Sequence, residues 1–385
     1  MKCGSCALVA QLVLCSALGA QAPPVIPPER IIENTLDDVP MWTARQILQI
    51  GAADAPGPTQ FFRITDVKFI DAETIAVANA GSGEIRIFDV VGRHVRTLGG
   101  PGRGPGEFTW LGHIHPMGTE LLAVDFGPRQ VTRLALTGGV ISTNRLAGGP
   151  DVRWPTPIGV LGNGDIIAVN GQSFERGESG FGLVRPPFEI LSFRSESAAP
   201  TLLVTFPGTE FWVTGERELI TTKTLFGPET LHAVSGTRFW LASSHRFEVY
   251  GFGSSGTPEL MIRATVPDRG LTGAQVDRRI RDRLAVLPEG EMRERTMRSF
   301  RAMPEPQSAP LIDQIAGSPE GGVWVRGAAT APARTWHIFD ASGRIRASIV
   351  LPATFTIRAI RDDRVVGVWT DEDGVEHVRI YAVER

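Results

Sequence analysis

A unit of four short β-type segments recurs along this chain and constrains its fold more than any other feature. The first copy consists of residues 66–70, 74–78, 84–88 and 94–98, with Gly, Asp and Ser residues at the turns. The unit restarts near His113, Thr156, Leu231, Leu311 and Thr356. Most of these intervals are about 45 residues, and two are about 75 to 80. With 43 glycines and 28 prolines in 385 residues, the chain has too many helix breakers for a helical bundle.

A four-stranded repeat of this length is typical of a blade in a β-propeller. The number of copies predicts an all-β fold, a six-bladed β-propeller over residues 41–385. The last copy supplies only three strands, at residues 356–360, 365–370 and 376–382. We expect the N-terminal strand 42–50 to pair with this C-terminal blade and close the ring, because closure removes exposed sheet edges. One domain therefore replaces the two or three that length alone suggests.

The first two copies also resemble a known repeat. Residues 85–89, 92–99 and 102–108 resemble an NHL repeat, as does Leu122–Asp125 in the next copy. The resemblance covers about a quarter of the chain well and is faint beyond it. It implies a six-bladed propeller, often extracytoplasmic. Most members of this family are interaction surfaces, and a minority are metal-dependent lyases or lactonase-like hydrolases.

The N-terminus has the pattern of a secretory signal peptide over residues 1–20. Lys2 precedes an apolar stretch of about a dozen residues, and small residues follow, which predicts cleavage near Ala20. Residues 21–40 then form a proline-rich leader. All three cysteines lie in the signal, and Leu14 before Cys15 disfavours a lipid anchor. We therefore expect a periplasmic or secreted protein whose mature chain has no cysteine.

Composition excludes two classes of partner. The net charge of −3 offers no general attraction to nucleic acid. No apolar run reaches the ~18 residues that a transmembrane span needs. We expect a monomer, with an unknown protein or small-molecule ligand as its partner.

Three insertions lengthen the repeat, at residues 171–187, 207–229 and 267–310. In propeller topology all three emerge on one face, and loops on a rigid scaffold often carry binding residues. The third insertion has helical spacing over about residues 272–303. Its arginines include Arg279 and Arg283. They indicate either a helical lid with a solvated polar face or a binding site for an anionic partner. The aromatic residues expected on this face, which could line a ligand mouth, are Trp110, Trp154, Trp212 and Phe226.

Two histidines suggest a possible metal site. His113 and His115 are two residues apart, so on one strand both side chains would face the same way. Asp125 ends the neighbouring strand, and His and carboxylate groups suit Zn²⁺ or a similar divalent metal. Ordinary packing or hydrogen bonding is the alternative role for these residues. No other cofactor is indicated.

The sequence therefore favours a binding or interaction module over an enzyme. Its site would lie on the face that carries the insertions. The alternative is a metal-dependent propeller hydrolase or lyase with a site in the central tunnel, near His113 and His115.

Overall fold

The computed structural model describes residues 27–54, 57–149, 151–171, 181–196, 198–214, 220–267, 269–328 and 333–385. The expected signal peptide, its cleavage site and the three cysteines lie outside the described residues. So do most of the first predicted insertion and short stretches of the other two. Among the described helices, none is both long enough and apolar enough to cross a membrane.

Short strands make up most of the described chain. The first eleven are β1 (Arg30–Asn34), β2 (Met41–Ile50), β3 (Ile64–Phe69), β4 (Thr74–Asn79), β5 (Glu84–Asp89), β6 (His94–Pro101), β7 (Glu107–Phe108), β8 (Leu111–Met117), β9 (Glu120–Asp125), β10 (Gln130–Ala135) and β11 (Val140–Asn144). The next eleven are β12 (Thr156–Val160), β13 (Ile166–Val169), β14 (Gly182–Val184), β15 (Pro187–Phe193), β16 (Thr201–Pro207), β17 (Phe211–Thr214), β18 (Ile220–Lys223), β19 (Thr230–Ser235), β20 (Arg238–Ser243), β21 (Glu248–Gly253) and β22 (Pro258–Ala264).

Two helices and seven more strands complete the described elements. The helices are α1 (Gly273–Ala285) and α2 (Glu291–Ala302), with a short 3-10 turn at Gly57–Thr59. The last strands are β23 (Ile312–Gly317), β24 (Val323–Gly327), β25 (Ala333–Phe339), β26 (Ile345–Pro352), β27 (Phe355–Arg361), β28 (Arg364–Thr370) and β29 (Glu376–Glu384). The helices fall within the range that the sequence predicted as helical.

The strands form antiparallel meanders. The four-stranded units are β3 to β6, β8 to β11, β12-β13-β15-β16, β19 to β22 and β23 to β26, and β27 to β29 form a three-stranded unit. The first strand of each unit contributes residues to one common channel. Antiparallel meanders arranged around a channel define a β-propeller. Both faces of a sheet are buried against its neighbours: in β4, Ile75 and Val77 belong to one apolar cluster and Ala76 and Ala78 to another, all with no exposed surface.

The strand β2 joins the C-terminal unit. It pairs antiparallel with β29, from Thr43 opposite Glu384 to Ile50 opposite Val378. Its first two residues pair with β26 in parallel, so one eight-stranded sheet contains both units. Ile50 is buried against Val378 and Ile380 in the same apolar cluster.

The segment predicted as a proline-rich leader also contains a strand. β1 pairs in parallel with β22, from Arg30 opposite Leu260 to Asn34 opposite Ala264. The amide of Asn34 donates a hydrogen bond to the carbonyl of Gly343, and its oxygen accepts one from the amide of Ile345. This strand contains no proline, and its isoleucines suit a sheet edge. Residues 30–34 are thus part of the fold rather than a linker.

Candidate functional site

The central channel contains a cavity of about 310 Å³. A second cavity of about 680 Å³ shares part of its wall and includes the C-terminal ends of the inner strands. The smaller cavity lies nearer the first residues of β19 and β23, which follow the second and third insertions in the chain. Its polar lining comes from several strands: Asp66, Lys68, His113, His115, His232, Asp313, Gln314 and Arg358.

A buried ion pair forms part of the channel wall. Nζ of Lys68 lies 3.0 Å from Oδ1 of Asp66 and donates a 2.8 Å hydrogen bond to the carbonyl of Arg358. Oδ2 of Asp66 accepts a hydrogen bond from the backbone amide of Ile114. Burial would raise the pKa of Asp66, but Lys68 and the nearby His113 together lower that pKa well below its ordinary value. Asp66 is therefore an ionised carboxylate that fixes the neighbouring strand β8.

The two predicted histidines line this channel. Their ring centroids are 6.3 Å apart, and Nδ1 of His113 lies 3.6 Å from Oδ2 of Asp66. Burial, followed by the nearby charge of Lys68, lowers the pKa of His115 from 6.5 to about 3. His115 is therefore neutral at physiological pH. Its Nε2 is buried and has no hydrogen-bond partner among the described residues.

A third histidine, His232, also lines the channel, and no motif or spacing in the sequence marked it. Its ring stacks on Phe188 with a centroid separation of 5.8 Å. Its side chain is exposed to the open channel, and desolvation by the surrounding wall lowers its pKa to about 4. It is therefore a second neutral imidazole in the channel.

Two more side chains in the wall have polar atoms that the described protein leaves without partners. The amide nitrogen of Gln314 donates to the carbonyl of Ile357 at 3.0 Å, while its Oε1 is buried and has no partner. Nε of Arg358 is likewise buried and without a partner. Buried polar groups in proteins are nearly always satisfied, so such a cluster beside a cavity indicates a place for a ligand or water. No local sequence pattern could reveal this cluster, because His115, Gln314 and Arg358 come from separate strands.

The structure does not bring Asp125 together with the two histidines. Asp125 lines a different cavity, and its carboxylate accepts hydrogen bonds from the amides of Thr109, Trp110 and Gly127 at 2.8 to 3.0 Å. Among the described residues, no three His, Cys, Asp or Glu side chains are grouped so that they could hold a metal ion. His113 and His115 thus lack the third ligand that the sequence assigned to them.

The role of Asp125 recurs in other sheets. Asn79, Asn170 and Ser244 also stand at or next to the end of a second strand. Each accepts a hydrogen bond from a backbone amide just before the first strand of its own sheet, those of Phe62, Arg153 and Glu229 respectively. This repeated contact fixes the loop between adjacent sheets. A structural anchor therefore accounts for Asp125 at this position.

The described parts of the three insertions pack into one structure, which we call the insertion unit (β14, β17, β18, α1 and α2). β14 from the first insertion pairs with β17 from the second, and β17 pairs with β18. The helices of the third insertion cover this small sheet, and Oγ1 of Thr222 lies 2.7 Å from Oγ of Ser299 on α2. Leu225, Leu284 and Phe300 form its apolar core.

Four predicted face residues belong to the insertion unit. Trp212 and Phe226 pack against its core. Arg279 lies over the ring of Phe226, with its guanidinium carbon 5.8 Å from the centroid. Arg283 lies in the last turn of α1. The two aromatic side chains thus help to hold the helices on the sheet, and no contact within the described part of the chain places them at the channel.

The remaining two predicted residues, Trp110 and Trp154, are exposed aromatic side chains. Their exposed fractions are 55% and 47%. Trp110 packs edge-to-face on Phe126 at 5.9 Å, and Trp154 carries the guanidinium of Arg129 over its ring at 4.3 Å. Trp154 lines a cavity of about 480 Å³ that shares no lining residue with the channel.

No family model and no curated protein sequence matches this chain significantly. Solved structures resemble it. A candidate exported protein from Bacteroides fragilis is 10% identical with a TM-score of 0.50, covering 92% of this chain and 99% of that chain. A member of the DUF4221 family from Bacteroides vulgatus is 9% identical with a TM-score of 0.50, covering 89% and 98%. The β-propeller domain of the Trilobed protease from Pyrococcus furiosus is 10% identical with a TM-score of 0.38, covering 81% and 78%. At such identities the likeness concerns the fold alone.

Proposed function

We propose that this chain is an extracytoplasmic, NHL-like propeller of six blades that binds a ligand through the face carrying its insertions. Six first strands, β3, β8, β12, β19, β23 and β27, line the channel, which supports the count. The pairing of β2 with β29 supports closure by the N-terminal strand. The signal-like pattern of residues 1–20 supports export.

The channel cavity on the insertion side is the proposed ligand site. The observation that carries this proposal is the cluster of unpartnered polar atoms in its wall: Nε2 of His115, Oε1 of Gln314 and Nε of Arg358. Its volume of about 310 Å³ is at the small end of ligand pockets. A cavity of that size suits a molecule as large as a monosaccharide.

The chemistry of those atoms favours a ligand with hydroxyl groups. A neutral histidine ring has one donor and one acceptor nitrogen, so Nε2 of His115 can bind a hydroxyl group in either tautomer. Oε1 of Gln314 is an acceptor, whereas Nε of Arg358 is a donor. A hydroxyl group both donates and accepts hydrogen bonds, so one polyhydroxylated molecule satisfies both kinds of atom.

A thermal-shift screen tests this class of ligand. Neutral monosaccharides, dicarboxylates and amino acids are added separately to the purified chain. We expect at least one neutral monosaccharide to raise the unfolding temperature, because a ligand that binds the folded state stabilises it. The ligand class is wrong if only dicarboxylates or amino acids raise it, or if no compound does.

The alternative is a metal-dependent hydrolase or lyase in the same channel. It is favoured by one observation, the position of His113 and His115 beside Asp66 in the channel wall. The described residues offer no third ligand, since the carboxylate of Asp66 is engaged by Lys68 and Ile114. Metal analysis decides between the two: a stoichiometric metal that is lost when both histidines become Ala would favour the enzyme.

A further inference from the structure

The cavity beside Trp154 is lined by three arginines from three separate segments. Arg129 lies in the turn between β9 and β10, Arg145 follows β11, and Arg153 precedes β12. All three side chains belong to exposed residues. The backbone amide of Arg153 donates to Oδ1 of Asn170 at 3.1 Å, which fixes this segment against β13.

The described residues that line this cavity carry a net positive charge. Asp125 is the only acidic residue among them, and its carboxylate is already occupied by backbone amides. Within the described part of the chain, neither Arg129 nor Arg145 takes part in any of the observed ion pairs. Arginine recognises carboxylate, sulfate and phosphate groups through paired N–H donors.

The backbone at Arg129 is unusual. Its φ of 57° lies in the left-handed region, which non-glycine residues rarely adopt. The turn between β4 and β5 has the same length, and there the corresponding residue is Gly83, with a φ of 65°. The fold thus accepts glycine at this position, yet this turn carries an arginine. Strained residues of this kind concentrate at binding sites.

Trp154 orients the arginine. The guanidinium carbon of Arg129 lies 4.3 Å from the centroid of the indole ring, a cation–π contact. Gly171 lies close beside this tryptophan, where a Cβ atom would come within 3.0 Å of its Cβ. The stacking holds the guanidinium in place before a ligand arrives, which lowers the entropy lost on binding.

We propose that this cavity, with Arg129, Arg145 and Trp154, binds a small molecule that bears carboxylate, sulfate or phosphate groups. The cavity volume of about 480 Å³ is adequate for such a ligand. This site is separate from the channel, so it goes beyond the proposed function and does not depend on it.

Calorimetric titration with citrate and with inorganic sulfate, each at the same ionic strength set by chloride, tests the proposal. The variants are Arg129→Gly, Trp154→Ala and the control Arg344→Gln, which removes an equal charge from the turn between β25 and β26. We expect anion affinity to fall at least tenfold in the first two variants and to stay unchanged in the control. Arg129→Gly should unfold at or above the temperature of the parent, because glycine adopts this backbone freely.

The two probes distinguish the sources of the anion. Tighter binding of citrate supports an organic acid as the ligand, and equal binding of both supports any small oxyanion; either result sustains the proposal. It is overturned if neither anion binds the parent, or if Arg129→Gly binds them as the parent does. The channel site is tested with neutral monosaccharides and this cavity with anions. A negative result for one class of ligand therefore leaves the proposal for the other site unchanged.

Discussion

Nζ of Lys68 lies 3.0 Å from Oδ1 of Asp66, a residue of the innermost strand β3 that is almost completely buried. The other carboxylate oxygen holds the amide of Ile114 on β8, so this ion pair ties two adjacent sheets together at the channel. A buried charge that loses its partner is costly, because the protein interior solvates it poorly.

Replacing Lys68 with Met should therefore destabilise the fold. We expect a loss of about 3 kcal/mol in the free energy of unfolding at pH 7, since Asp66 would remain buried without its cation. Urea unfolding measures this loss. The double variant Lys68→Met with Asp66→Asn should recover part of it, and a double variant no more stable than the single one would contradict the role of the buried charge.

His115 should make stability depend on pH. Its pKa is about 3 in the folded chain and 6.5 when unfolded, so the unfolded state binds a proton first as pH falls. The contribution of neutral His115 to the free energy of unfolding is complete above pH 6.5. It declines by about 1.4 kcal/mol per pH unit as the pH falls from 6.5 toward the pKa of the folded state. Urea unfolding between pH 6.5 and 4.5 should show a flatter dependence in His115→Gln. Equal slopes in the parent and in His115→Gln would refute this effect.

Asp125 should prove structural. Asp125→Ala leaves the amides of Thr109, Trp110 and Gly127 without their acceptor, and we expect a loss of about 3 kcal/mol in unfolding free energy. Asp125→Asn should lose less, because Asn79 and Asn170 fill the same role with an amide oxygen. Urea unfolding and metal analysis together check this. A bound metal that disappears in Asp125→Asn, with stability unchanged, would restore Asp125 as a ligand.

Deletion variants test the contribution of β2. A chain that begins at Met41 loses β1, an edge strand on β22, and should still unfold cooperatively. A chain that begins at Ala52 also loses β2, which exposes the edge of β29 and the apolar side chains packed around Ile50. We expect a much lower unfolding temperature or aggregation of this shorter chain. Similar unfolding temperatures for the two chains would argue against closure by β2.

The repeat pattern predicted the strands because the spacing of apolar residues within each short segment is a local feature of the sequence. The strands near Val67, Ile75 and Ile85 appear as predicted, since their apolar periodicity depends only on neighbouring residues. The helical spacing around Ile280 and Leu284 likewise predicted α1. Strand β14 was not predicted from the sequence because it has only three residues and is stabilised by pairing with β17 from another insertion.

The sites were harder to predict because they depend on contacts between distant residues. His113 and His115 were expected to face one side, and both line the channel. Gln314 and Arg358 come from strands far along the chain, and nothing in their local sequence marks them. Asp125 looked like a ligand because it ends a strand, although that position is what lets it hold the preceding loop. The stacking of Arg129 on Trp154 also joins two turns that are separate in sequence.

The proposed channel site is tested most directly by calorimetric titration of a neutral monosaccharide from the screen into two matched variants. Gln314→Met removes the unpartnered Oε1 from the channel wall, and Gln307→Met makes the same change in an exposed loop. In both residues the amide nitrogen donates to a backbone carbonyl, so each substitution removes one such hydrogen bond. We predict that Gln314→Met weakens binding about tenfold or more while Gln307→Met binds as the parent does. Equal affinity in all three proteins would contradict a ligand site in the channel.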